Sequence, residues 1–142
     1  MNERYFCTFS VDGLLLGIAI EHVEEVLGDQ AITPVPLSDA AITGLINLRG
    51  RIVTAIDARQ RFGLTSRDDT AAPTVVVVRA HGEAVGLFVD RVGDVVEVDD
   101  DCLVEVPVTV AAPIRALATG AYMLAGDLML VLDADQTLAI TS

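Results

Sequence analysis

Lysine and tryptophan are absent from the 142 residues, and cysteine occurs only twice. The positive charge is carried by nine arginines scattered along the chain, against 21 acids, for a net charge of −12. Gripping a phosphate backbone needs clustered cations, so the pattern excludes nucleic acid and anionic lipid as partners. The acids are themselves dispersed apart from Asp99-Asp100-Asp101, unlike a disordered acidic tail. Aromatic residues make up 4% of a chain that is 52% hydrophobic, so its core must come from Val, Ile, Leu and Ala. Such β-branched residues are stiff at χ1 and pack well on pleated surfaces, which favours strands. No apolar run approaches the roughly 18–20 residues needed to cross a bilayer, so direct membrane insertion is not expected. The start, Met1-Asn2-Glu3-Arg4, has no basic segment followed by an apolar one, and a cytoplasmic protein is expected. Cys7 and Cys102 are far apart; both are read as reduced, with Cys7 a small hydrophobe in a strand. Neither a disulfide nor a zinc framework is offered, and no cofactor is expected.

A chain of this length is expected to form one domain, residues 1–142. Short β-like runs punctuated by Gly and Asp dominate it. Residues 4–10 alternate, Asp12-Gly13 marks a hairpin, and 14–20 is continuously apolar. Further runs cover 51–57, 74–80, 84–89, 92–98 and 128–132, with breaks at His81-Gly82, Gly93-Asp94 and Gly126-Asp127. Helical signals are short: His22–Leu27, Asp39–Thr43, Ala58–Phe62 and Ala134–Ile140. Many short strands between turn signals predict an all-β fold of barrels or sandwiches.

The sequence also repeats itself. Gly44-Leu-Ile-Asn-Leu48-Arg-Gly50…Asp57-Ala-Arg-Gln60 matches Gly120-Ala-Tyr-Met-Leu124-Ala-Gly126…Asp133-Ala-Asp-Gln136, at an offset of 76 residues. Gly13…Gly17…Ile20-Glu21…Val23…Glu25-Val26 matches Gly82…Gly86…Val89-Asp90…Val92…Asp94-Val95, at an offset of 69. Two ordered, ungapped pairs predict two pseudo-repeated β-subdomains sharing an aliphatic core. Thr74-Val75-Val76-Val77-Val78 suits a strand covered on both faces, expected to join the two.

Familiar catalytic and metal motifs are missing. His22 and Glu25 could share a metal, but two ligands without a third leave a solvated face as the better reading, with no metal site expected. His81 in His-Gly-Glu reads as a turn residue. Asp57 and Asp133, equivalent in the repeat, raise the possibility of an aspartic hydrolase with a proton-sharing dyad. Each is followed by Ala and then Arg59 or Asp135, so the favoured role is capping a short helix that starts there. Arg49 breaks the repeat, because the second half has Ala125 in its place. It is either a solvated turn residue or one held by Glu25 or Asp94.

Ile32-Thr-Pro-Val-Pro36, Gly44-Leu-Ile-Asn-Leu-Arg-Gly-Arg-Ile-Val53, Asp57-Ala-Arg59, Gly86-Leu-Phe-Val-Asp-Arg-Val92 and Leu132-Asp133 together resemble the pattern of CheW-like coupling proteins. The resemblance runs from about Tyr5 to Ile140. It implies two SH3-like five-stranded β-barrel subdomains around a shared core, with a few short helices. It further implies a non-enzymatic scaffold of chemotaxis signalling. Such a scaffold binds the cytoplasmic tips of methyl-accepting chemotaxis receptors and the regulatory domain of a CheA-type histidine kinase, and is recruited through them to membrane receptor arrays. Receptor-binding positions of the family fall on Val23, Glu25, Val26, Gly44, Arg49, Gly86, Val92 and Val95, with Glu25 and Arg49 as an ion pair. The stretch Leu103–Ile114, including Leu103, Pro107, Val108 and Thr109, is a candidate kinase-facing loop. Thr54 stands where the family usually has Pro, Leu27 where it often has Arg, and Ala58 where Leu is usual. An auxiliary adaptor of a twitching, gliding or other non-flagellar pathway is the alternative within the family.

Overall fold

The computed structural model describes residues 4–28, 42–64, 74–80 and 82–139. Eleven strands are present among them: β1 (Arg4–Val11), β2 (Leu14–Ala19), β3 (Val23–Gly28), β4 (Ile42–Leu48), β5 (Arg51–Asp57), β6 (Thr74–Ala80), β7 (Glu83–Val89), β8 (Arg91–Val98), β9 (Leu103–Val104), β10 (Ala118–Leu124) and β11 (Asp127–Leu132). Three four-residue helices follow strands or loops: α1 (Ala58–Arg61), α2 (Ala112–Arg115) and α3 (Ala134–Thr137). Asp12 and Gly13 both take positive φ, 54° and 81°, the twist-matched turn that an Asp-Gly pair supplies between two strands.

The strands form a six-stranded sheet, β8-β1-β2-β11-β10-β9, and a five-stranded sheet, β3-β6-β7-β5-β4. The extra strand of the larger sheet is the two-residue β9. The all-β expectation holds, but the sheets do not coincide with the sequence repeats. The first half's opening hairpin, β1–β2, pairs with β8 and β11 of the second half; the second half's hairpin, β6–β7, pairs with β3 and β5 of the first. Each sheet therefore contains strands of both halves. Even the registers correspond. Ala55 opposes Gly86 and Val131 opposes Gly17, while Val23 opposes Val78 and Val92 opposes Phe9. A two-fold relation in the sequence has become a reciprocal exchange of hairpins in space.

Three apolar clusters follow from the pleat. Phe9, Leu16, Ile18, Ile56, Val76, Val78, Leu87, Leu130 and Leu132 form the shared core. Ile46, Val53, Val75, Val77 and Phe88 fill the other face of the five-stranded sheet. Phe6, Val98, Tyr122, Met129 and Val131 do the same for the six-stranded one. Val75–Val78 is thus covered on both faces, and successive valines enter different clusters. The strand lies inside the five-stranded sheet, between β3 and β7, rather than joining two bodies.

Two local readings are corrected. His22–Leu27 is not helical: a 3₁₀ turn, Ile20–His22, leads into strand β3. Gly93-Asp94 does not interrupt β8 but marks a bulge in its pairing with β1 between Cys7 and Phe9. There Thr8 Oγ1 donates to the Asp94 carbonyl, and a Cβ at position 93 would lie 2.7 Å from that hydroxyl. The Ile32–Pro36 motif, Asp39–Ala41 and His81 lie outside the described residues.

Candidate functional site

Strand β3 bulges at Glu24, in its pairing with β6 between Val23 and Glu25. A bulge re-aims side chains and shifts the alternation of faces. The consequence is visible in the packing. Val23 rests against the shared core, whereas Leu27, four residues on, packs into the other cluster. Both Glu24 and Glu25 reach the hairpin joining β4 to β5. Arg49 donates from Nη2 to Glu25 Oε1 at 2.9 Å and from Nη1 to Oε2 at 3.2 Å. Arg51 donates from Nη2 to Glu24 Oε2 at 2.7 Å, and Arg79 of β6 donates from Nε to Glu24 Oε1 at 3.0 Å. Bonds from Arg51 and Arg79 hold the Glu24 carboxyl below its usual range. Edge strand β3 is thereby clasped to the hairpin of the opposite edge strand, β4, a junction absent from the backbone ladder.

Arg49 sits in the left-handed region, φ 53°, beside Gly50 at 85°. A side chain there is strained, and a bidentate grip on a carboxylate fixes the guanidinium that the turn presents. Its side chain is nevertheless 80% exposed, against 22% for Glu25. Of the neighbouring candidates, Val26 is 43% and Val95 54% exposed, while Val23 and Val92 are half-buried against the shared core. Val26 and Val95 lie on the edge strands β3 and β8. Strand β8 also approaches β6, the strand on which β3 pairs. Gly44 and Gly86 are buried. A Cβ at Gly86 would meet Val75 Cγ1 at 3.0 Å and Ile46 Cδ1 at 3.1 Å, so close packing within the sheet explains that glycine without a partner.

Of the candidate kinase-facing residues, Leu103 lies on β9, the far edge of the six-stranded sheet. Leu103 is exposed on β9 and borders a concavity with Phe6, Asp100 and Tyr122. Pro107 accepts from Val110 N–H in a turn whose tip is Val108, 84% exposed, with Thr109 exposed beside it. Arg115 of α2 donates to the Val108 carbonyl at 2.9 Å and anchors the turn.

Asp57 and Asp133 are helix caps. Asp57 Oδ1 accepts from the Arg59 N–H at 2.9 Å and Asp133 Oδ1 from the Gln136 N–H at 3.1 Å. Asp57 ends β5 and Asp133 directly follows β11, strands of different sheets. Both oxygens of Glu25 are taken by Arg49, so a His22–Glu25 metal pair would first have to break that clasp.

A second ion cluster gathers around Arg59 and was not foreseen from the sequence. Arg59 donates from Nε to Asp90 Oδ1 at 2.9 Å and from Nη2 to Oδ2 at 2.6 Å, with Asp12 Oδ1 at 3.6 Å from Nη1. Asp90 stabilises the cation and raises the Arg59 pKa above its ordinary value. The signal was the same kind as for Arg49. In the repeat, the equivalents of Arg59 and Asp90 are Asp135 and Glu21, two acids that cannot form such a pair.

The architecture is that of two β-sheets, each with strands from both halves of the chain, and with the edge strand β3 clasped to the β4–β5 hairpin. The chain belongs to the CheW-like domain family, whose model matches residues 6–141. It is 30% identical over 137 residues to the chemotaxis protein CheW of Klebsiella aerogenes, covering 94% of this chain and 81% of that protein. With the CheW of Rhizobium meliloti it shares 28% over 132 residues, 93% of this chain and 85% of the relative. Its structure superposes on the scaffolding protein TtCheW from Thermoanaerobacter tengcongensis with a TM-score of 0.85 at 29% identity, covering 97% of this chain and 94% of that one.

Proposed function

We propose that this chain is a non-enzymatic chemotaxis scaffold that couples methyl-accepting receptors to a CheA-type histidine kinase. The observation that carries the proposal is the family match over nearly the whole chain, together with the close superposition on a scaffolding protein. Asp57 and Asp133, the pair considered for acid chemistry, cap helices, and Glu25 holds Arg49. The receptor's helical hairpin is assigned to the seam between β3 and β8, with Val26 and Val95 as apolar contacts and Arg49, set by Glu25, as the polar one. Val23 and Val92 support the seam from beneath. The kinase regulatory domain is assigned to Leu103 and the turn Pro107–Thr109. Among the described residues no helix is long and apolar enough to cross a membrane, and location at receptor arrays is attributed to these partners. Pull-downs of the purified chain against receptor tips and kinase regulatory domains from the same organism test the assignment. Capture of both is expected; capture of neither would overturn it.

A further inference from the structure

We infer that Arg59 and Asp90 are positioning residues that lock the five-stranded sheet to the β8 edge and so set the geometry of the docking seam. The inference rests on the receptor assignment above for its functional consequence, and on the following contacts for its geometry. Arg59 lies on α1, which leaves the five-stranded sheet at the end of β5. Asp90 is the single residue between β7 of that sheet and β8 of the other. Asp12 turns the β1–β2 hairpin of the six-stranded sheet, and its N–H donates to Asp90 Oδ2 at 2.8 Å. The Asp90 N–H adds to the junction by donating to the Ser10 carbonyl at 3.1 Å. One carboxylate therefore receives a bidentate guanidinium from one sheet and an amide from the other. Two residues beyond it stands Val92, which supports the seam, and three further on Val95, which faces it.

The same helix is fixed at a second point. Arg61 donates from Nε to the Thr137 carbonyl and from Nη2 to the Gln136 carbonyl, both at 2.8 Å, closing the end of α3. Arg61 and Thr137 are equivalent in the repeat, so this contact lies close to the pseudo-two-fold axis. Arg59 and Asp90 lie off that axis, at a site whose twin has Asp135 and Glu21 in their two places. The lock therefore acts on one side of the molecule, the side that carries β8 into the seam. The side chains of Arg59 and Asp90 are only 21% and 24% exposed, so the pair is screened less than the Arg49 clasp. Removing the cation would also leave Asp90 and Asp12 facing each other without it. A guanidinium fork matches a carboxylate in a way that an ammonium does not, so Arg59→Lys keeps the charge but loses the alignment.

The test pairs a distance with a binding measurement, both on the full chain at temperatures below the melt. Spin labels at Val95 on β8 and Ile52 on β5 report the relation between the sheets, with Cys7 and Cys102 replaced. Binding to the organism's own receptor tip is measured on unlabelled Arg59→Ala, Arg59→Lys and Asp90→Asn chains. The inference expects a broadened distance distribution in Arg59→Ala, partly recovered in Arg59→Lys, and receptor affinity weakened about tenfold with kinase-domain affinity within twofold of wild type. An unchanged distance distribution in Arg59→Ala overturns it, as does a broadened one with unchanged receptor affinity. If the wild-type chain fails to bind the tip while the distances broaden as expected, the receptor assignment fails and takes the docking role of the lock with it.

Discussion

Replacing Arg49 by glycine separates the two things this residue does. The wild-type turn holds an L side chain at φ 53°, which costs about 1–2 kcal/mol relative to a residue free to adopt that conformation. Against this, the Arg49–Glu25 pair returns little. Its guanidinium is 80% exposed, and exposed pairs contribute about 0–1 kcal/mol. Arg49→Gly thus loses at most about 1 kcal/mol of ion pair and recovers a similar amount of strain, so the net change is near zero. Arg49→Ala keeps the strained backbone and loses the pair, for a net loss of about 0–1 kcal/mol. For a chain of this size that is a fall in Tm of no more than about 4 °C. The β3 edge stays attached in both variants, because Glu24 is still held by Arg51 and Arg79. Calorimetric melts should rank Arg49→Gly at or above wild type and Arg49→Ala just below, while receptor capture falls in both. Arg49→Lys should not restore capture fully, since an ammonium cannot reproduce the fork. A drop of 8 °C or more (about twice the largest expected) in the glycine variant would make the clasp structural. Capture at wild-type level in both variants would remove Arg49 from the docking surface.

Other outcomes follow from the same geometry. Gly86→Ala should cost about 1–3 kcal/mol, because its Cβ presses on Val75 and Ile46 in a filled cluster. Gly17→Ala, where a flexible Met129 is the nearest obstacle, should cost less by urea titration. Asp57→Ala and Asp133→Ala should each lose about 0.5–2 kcal/mol as lost caps, with receptor and kinase capture intact. Glu24 has its pKa lowered by Arg51 and Arg79, so its share of stability is full above its ordinary value of 4.5 and is lost as pH falls through the lower folded value. Denaturation midpoints measured on either side of that window should show an acid-side loss that Glu24→Gln reduces.

The hairpin at Asp12-Gly13 was legible because few residue pairs tolerate two positive φ values in succession. The two-faced valine strand was legible too, since an unbroken apolar run in a β context demands cover on both sides. Which strands it lies between was not, because a repeat records what each half resembles and not what it pairs with; the exchanged hairpins leave no mark on periodicity. Strand β3 looked helical for a definite reason. Its bulge at Glu24 interrupts the period of two, and Val23, Val26 and Leu27 then fall at helix-like spacings. The Glu25–Arg49 contact followed from the family resemblance and from the arginine's absence in the second half. The Arg59–Asp90 pair carried the same asymmetry, but its partners come from opposite halves, 31 residues apart, and only the fold brings them together.

The central claim is that this chain bridges receptor and kinase, and a ternary capture measures it directly. Receptor tips are immobilised, the kinase regulatory domain is added with or without the chain, and retained kinase is quantified. Retention that depends on the chain, and falls when Arg49 or the Leu103–Thr109 surface is altered, is the predicted result. Retention that is the same without the chain, or binding of the two partners that is mutually exclusive, would contradict it.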